Sequence, residues 1–272
     1  MSDHAGGMQL RLFGAVRDLK GGELPELYGY PPELNKVWLR ANFIASLDGG
    51  ATLSGKSGQL GGAGDRAVFN LLRELADVIL VGAGTVRAED YSGARLTIAQ
   101  RQDRQARGQC EVPQLAIVTK SGRLDREMPV FTRTEVPPLV CTCAAVADQT
   151  RLGLAGLADV VECSDDDPAR VDEASVLAAL ADRGLYRVLT EGGPTLFGSF
   201  VERGMLDELC LTIAPSVVGG QGGRISAGPG QVLTAMHCAH ILSDDDGYLY
   251  TRYVKAPDND AGRGPARGGV RP

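Results

Sequence analysis

The chain has 272 residues, with 28 basic and 34 acidic side chains and a net charge of −6. Apolar residues make up 43% and charged residues 23%, enough to bury a sizeable core, while the acidic balance argues against nucleic acid or an anionic membrane as the main partner. No apolar run approaches the ~20 residues of a spanning helix, and the opening MSDHAGGMQLRLFGAV has no basic n-region and no long apolar h-region, so no signal peptide and a cytoplasmic location are expected.

In chain order, the first ~30 residues carry Gly21-Gly22 and Pro31-Pro32 as punctuation and read as an extended arm or leader. Residues 37–45 form an apolar strand, and a glycine-rich stretch follows over 49–64. Val68, Leu71, Leu72 and Leu75 are spaced by three and four, the mark of an amphipathic helix over 65–75. Residues 77–82 are a short apolar run closed by glycine, hence a buried strand. Residues 98–113 are polar and read as a loop or weak helix. Strands are predicted at 115–119, 139–143, 159–163, 187–190 and 208–213, with helices over 171–183 and from Pro194. Two late strands, 240–243 and 248–254, flank the turn Asp244-Asp245-Asp246-Gly247.

This alternation predicts an α/β fold: a mostly parallel central sheet, helices on both faces and a C-terminal antiparallel hairpin. The domain reading is an arm over 1–34, one domain over 35–255 and a disordered tail over 256–272, rich in Gly, Pro and Arg. The six cysteines form no CxxC pair, and five sit in or beside predicted strands, so they read as small core residues rather than redox or metal groups. His237, Cys238 and His240 have no further ligand at metal spacing; no metal is expected. Late strands with apolar faces, such as Leu209-Cys210-Leu211-Thr212-Ile213 within 208–213, are expected to give the sheet an edge that a second copy pairs, giving a homodimer.

Chemistry concentrates at three places. The 36 glycines are about twice the usual share and many follow apolar runs. Gly82-Ala83-Gly84-Thr85-Val86-Arg87 follows a strand directly, but Arg87 stands where a dinucleotide fingerprint needs its third glycine, which weakens a Rossmann dehydrogenase reading. At Glu191-Gly192-Gly193-Pro194-Thr195-Leu196 a strand ends, two glycines turn the chain and proline opens a helix whose N-terminus can meet an anion. Two such corners in one sheet point to a phosphate-bearing ligand. The third place is Ser46-Leu47-Asp48-Gly49, at the end of the first core strand.

Taken together, "SLDG", "ADVILVGAGTV" and "TEGGPTLFGSFVERGMLDEL" resemble the reductase domain of the bifunctional riboflavin-biosynthesis deaminase-reductase family over about residues 36–255. The resemblance implies a dihydrofolate-reductase-like fold, a two-fold dimer and NADPH-dependent reduction of a ribosylamino-pyrimidine phosphate, in which the ribose opens to a ribitol chain. It places Gly82, Gly84, Thr85 and Val86, and the 191–196 corner, against the cofactor, and Asn42, Asp48 and the loop near Asp65 toward the substrate. The deaminase signature does not occur in the sequence. Asn42 stands where bacterial members carry lysine, as in the stand-alone archaeal-type reductases. After "GTV" the sequence Glu89-Asp90-Tyr91-Ser92-Gly93-Ala94-Arg95 lacks the proline and leucine of the family's sugar-phosphate segment, so a pterin such as dihydrofolate is the alternative substrate.

Hydride transfer asks the protein for a dry cleft, a group that holds the heterocycle and a path for one proton. Asn42, Asp48, Asp65 and Glu191 are the candidates, although Asp48 equally suits a turn and Asp65 a helix start. Thr119-Lys120-Ser121-Gly122-Arg123, at a strand end, gathers two hydroxyls and two cations where the 2′-phosphate of NADPH would be read. An NADPH-binding sensor without turnover is the non-enzymatic alternative.

Overall fold

The structure, a computed structural model, describes residues 17–20 and 22–257. Nine strands are present: β1 (Trp38–Ser46), β2 (Val78–Gly82), β3 (Gln114–Thr119), β4 (Leu139–Thr142), β5 (Asp159–Glu162), β6 (Arg187–Thr190), β7 (Glu208–Ala214), β8 (Met236–Ser243) and β9 (Leu249–Lys255). The helices are α1 (Glu23–Leu27), α2 (Ala63–Leu75), α3 (Ala83–Ala88), α4 (Ile98–Ala106), α5 (Pro129–Thr132), α6 (Ala144–Gly153), α7 (Glu173–Ala181) and α8 (Pro194–Glu202). The strands form one sheet in the order β5-β4-β3-β2-β6-β1-β7-β9-β8. All are parallel from β5 to β7, and β9 and β8 continue the sheet antiparallel. This is the expected α/β architecture with its C-terminal hairpin.

The sheet is covered on both faces, which is why β2 is apolar at every position from Val78 to Val81. One face packs against α2 through Val68, Leu71, Leu72 and Leu75, with Ile79, Leu189 and Cys210 beneath them. The other packs against α7 and α8 through Val176, Leu180 and Phe200, over Leu39, Val78, Leu80 and Val188.

Several expectations change. The arm holds, in its described part, the short helix α1 and puts Tyr28 in the core. The reason is a buried charge cluster. Arg40, fully enclosed, meets Glu208, which also accepts from Arg252 and from the Trp38 ring N–H. Both arginines donate to the carbonyl of Gly29, and Arg252 also to that of Leu27. Burial works against the charge of Glu208, but the two guanidinium groups hold its carboxyl below the usual range. Residues 98–106 are a helix, opened by a capping box between Thr97 and Gln100.

Strand β7 is not an edge: β1 and β9 bond to its two sides, and the exposed edge beyond them is β8. The edge argument for a homodimer therefore fails at 208–213. Four cysteines are buried as expected, whereas Cys110 and Cys238 are exposed. The tail from 256 begins with a buried Ala256 whose N–H bonds to Ala235; the rest of it, and the 1–16 segment carrying the leader reading, lie outside the described residues. Among the described residues no helix is long and apolar enough to cross a membrane.

Candidate active site at the carboxyl edge of the sheet

Strand order decides what meets at this edge. Because β6 lies between β2 and β1, the turn after β2 and the turn after β6 stand side by side. The N–H of Gly82 donates to the carbonyl of Gly192 over 2.7 Å, and that of Glu191 to Leu80 over 3.1 Å. The Gly192–Gly193 peptide is cis, and Gly192 has φ +92°, a region that favours glycine. A Cβ on Gly82 would stand 3.3 Å from the Gly193 nitrogen, and one on Gly193 would stand 2.7 Å from the Thr85 hydroxyl oxygen. Backbone thus packs on backbone, and a side chain at either glycine would fill the corner.

Helices α3 and α8 both begin here. Their N-caps, Gly82 and Gly193, make no side-chain cap, and Pro194 occupies the first turn of α8. First-turn N–H groups and the positive ends of two helices therefore face one place, which fits the phosphates of a dinucleotide. Gly84 is open, with nothing within 4 Å of an added Cβ, and Thr195 is exposed. Leu196 closes the corner 3.9 Å from that position on Gly82. Val86 is different: its side chain is buried in the core on the α2 side and is turned away from the corner.

The loop after β3 is next along the edge, since β3 borders β2 with Val118 opposite Gly82. Lys120, Ser121 and Arg123 are exposed there. Thr119 is buried, and its carbonyl accepts from the Thr142 hydroxyl; its own hydroxyl does not line the surface. Gly122 has φ +64°, and a Cβ on it would stand 2.0 Å from the Thr150 hydroxyl oxygen, so the turn has one shape.

The four polar candidates have separate places. Asp48 accepts from the Ser46 hydroxyl (2.5 Å) and from the N–H groups of Gly219 (2.7 Å) and Val218 (3.1 Å). Those bonds, the Ser46 one first, pull its pKa down to about 2, so it is an ionised clamp on the 215–231 loop. That loop continues across the edge, through Gly223 bonded to Ala51 and Ala227 bonded to Pro194. Asp65 sits in the first turn of α2, and burial pushes its pKa up although the Thr212 hydroxyl partly offsets this. Asn42, half-buried, is opposite Cys210, and Ile44 is opposite Thr212. Positions two apart share a face of a strand, so Asn42 and the Asp65–Thr212 pair lie on one face, one step apart. Glu191 gives both carboxylate oxygens to Arg73 of α2, at 2.8 and 2.7 Å.

Arg73 was not among the candidates. It stacks over Phe69 at 4.1 Å and near Tyr91 at 5.1 Å. It also lines a cavity of about 170 Å³ with Asn70, Ser92, Gly93 and Arg95. Its helix gives it away only as one charge on a polar face; its partner is 118 residues later. The segment before the cavity is held by Glu89, which accepts from the Ser57 N–H and hydroxyl.

Comparison with known proteins gives the family of the chain. The family model of the RibD C-terminal domain matches residues 37–250. The riboflavin biosynthesis protein RibD of Bacillus amyloliquefaciens is 32% identical over 200 residues, covering 69% of this chain and 51% of that protein. The chain thus spans about half the length of that relative. The 2,5-diamino-6-ribosylamino-4(3H)-pyrimidinone 5′-phosphate reductase of Methanothermobacter thermautotrophicus is 31% identical over 183 residues, covering 67% of this chain and 80% of that one. Among solved structures, a pyrimidine reductase-like protein of Corynebacterium diphtheriae superposes with a TM-score of 0.72 at 29% identity, covering 82% of this chain and 93% of that one. With the family model running from β1 to the start of β9, the chain belongs to the family of RibD C-terminal reductase domains.

Proposed function

We propose that the protein is an NADPH-dependent reductase of a phosphorylated ribosylamino-pyrimidine, the substrate class named in its archaeal relatives. The observation that carries the reading is the double glycine corner, Gly82 stitched to Gly192–Gly193, beside the Lys120–Arg123 turn. When bound, the dinucleotide supplies the hydride. Gly82, Gly84, Thr85 and the 192–196 corner would hold its phosphates, and Lys120, Ser121 and Arg123 the 2′-phosphate.

On the substrate side, Asn42 and Asp65 hold the heterocycle on the shared face. Asp65, its pKa raised by burial, is the carboxyl suited to carry the proton; Asp48, ionised throughout the neutral range, is not. Arg95 and the Ser92 side chain, which line the cavity under α2, take the sugar phosphate. Glu191 shapes the corner, since its oxygens are engaged by Arg73. The enzyme works in the cytoplasm as a homodimer, with β8 the strand open to pairing; a sedimentation run showing only monomer at micromolar concentration would remove the dimer.

The test is loss of NADPH absorbance with the ribosylamino-pyrimidinone 5′-phosphate beside dihydrofolate. Turnover of the pyrimidine supports the reading. Turnover of dihydrofolate alone makes it a pterin reductase, and NADPH binding without turnover of either makes it a sensor.

A further inference from the structure

Glu191 leads into two glycines, the residues with the most backbone freedom, so the corner they form needs anchors. Two backbone anchors come from β2, at Leu80 and Gly82. A side-chain anchor comes from α2 in Arg73, a two-point fork whose guanidinium stacks on Phe69. The arginine side chain is 14% exposed and the glutamate 4%. A pair so removed from water is a poor source of stability, since a well-packed apolar pair fills the same space as well. What an apolar pair lacks is direction: a planar guanidinium sets both the distance and the angle of the carboxylate it grips. The same guanidinium also borders the cavity under Ser92–Arg95.

We propose that Arg73 is a positioning residue, which through Glu191 sets the Gly192–Gly193 corner in register with the cavity beneath Ser92–Arg95. One side chain thereby ties the place of the hydride donor to the place of its acceptor. The inference rests on the reductase reading above.

The test uses the full chain with Arg73→Lys, Glu191→Gln and the double variant Arg73→Met/Glu191→Leu. Melting temperature, the NADPH dissociation constant by fluorescence, and kcat and KM for the pyrimidine phosphate are measured. A misplaced donor costs about ten- to a hundredfold in rate, so all three variants lose that much in kcat and bind NADPH more weakly, with a smaller change in pyrimidine KM. The double variant, free of a lone buried charge, melts close to the wild type and still shows the kcat loss. A stable double variant with wild-type kcat and NADPH affinity overturns the proposal, as does an Arg73→Lys variant indistinguishable from wild type. Should the double variant fail to fold, the Lys and Gln variants decide. A wild type that binds no NADPH overturns the reductase reading itself and this inference with it; a working wild type with unaffected variants overturns this inference alone.

Discussion

Lys120→Ala and Arg123→Ala test cofactor choice at a turn whose shape is already fixed. Gly122 can tolerate no Cβ, the Thr142 hydroxyl holds the carbonyl of Thr119, and the Cys143 thiol holds that of Lys120. The cations therefore project from a built base, and removing either one leaves that base intact. A hydrogen bond to a charged group is worth roughly 1.5–3 kcal/mol, or about 10- to 150-fold in affinity. Both side chains are exposed, where water weakens a contact at ~4 Å toward ~1 kcal/mol. The expected loss is thus near the low end, about tenfold in the NADPH dissociation constant for each variant. It shrinks further as salt is raised past ~0.1 M, where the screening length is ~10 Å. NADH, without the 2′-phosphate, should bind each variant as it binds the wild type. Fluorescence titration of both cofactors against the three proteins reads the difference. Equal loss for NADPH and NADH, or no loss for either, would place the 2′-phosphate elsewhere.

Gly193→Val should abolish NADPH binding with little change in melting temperature, because the clash is with the rotatable Thr85 hydroxyl, whereas Gly82→Val, pressed against the Gly193 backbone, should lose both binding and several degrees. Normal NADPH binding by either variant would show that its corner does not meet the cofactor. Asp48→Asn should loosen the 215–231 loop and speed tryptic cleavage after Arg224. Its folded pKa of about 2 lies below the ordinary carboxylate value, so the stabilisation is present above ~4 and lost as pH falls through about 2. The melting difference between wild type and Asp48→Asn should close over that window; a difference that persists below it would show another cause. Arg104, fully buried, donates to the carbonyls of Glu74, Ala76 and Cys110. Arg104→Met should cost about 3 kcal/mol by stranding those groups, seen as a drop of roughly 6–12 °C in a domain of this size; a drop within error would show that the carbonyls find water.

What was legible in the sequence was legible because it was local. Strand β2 is a closed apolar run, and α2 carries its stripe at Val68, Leu71, Leu72 and Leu75, so both could be placed without knowing their neighbours. The short helix α3 was hidden because Gly82 and Gly84 read as a turn, although one is a cap and the other lies inside the first turn. Helix α6 was missed because its residues, rich in alanine, show only a weak stripe, with Ala147 and Thr150 buried. The partner of Glu191, Arg73, lies 118 residues away, and that of Tyr28, the His240 ring edge-on at 4.8 Å, lies about 210 away; both are set by tertiary packing. No window of sequence contains them. The edge assigned to β7 failed for a related cause: apolar residues at Leu209, Leu211 and Ile213 say that a face is covered, and leave unsaid which strands border it.

The position of β6 has a consequence for how the chain is made. Strands β1 and β2 are consecutive in sequence and are not neighbours; residues 187–190 fill the slot between them. During synthesis the first two strands have no common partner until about a hundred further residues, those between Gly82 and Arg187, have left the ribosome. Until then β1 and β2 face each other across an open gap. Contacts of such long sequence separation form slowly, and unpaired edges of this kind are where chains associate wrongly. Variants that weaken β6 should therefore lower the yield of soluble protein more than they lower the melting temperature of the molecules that do fold.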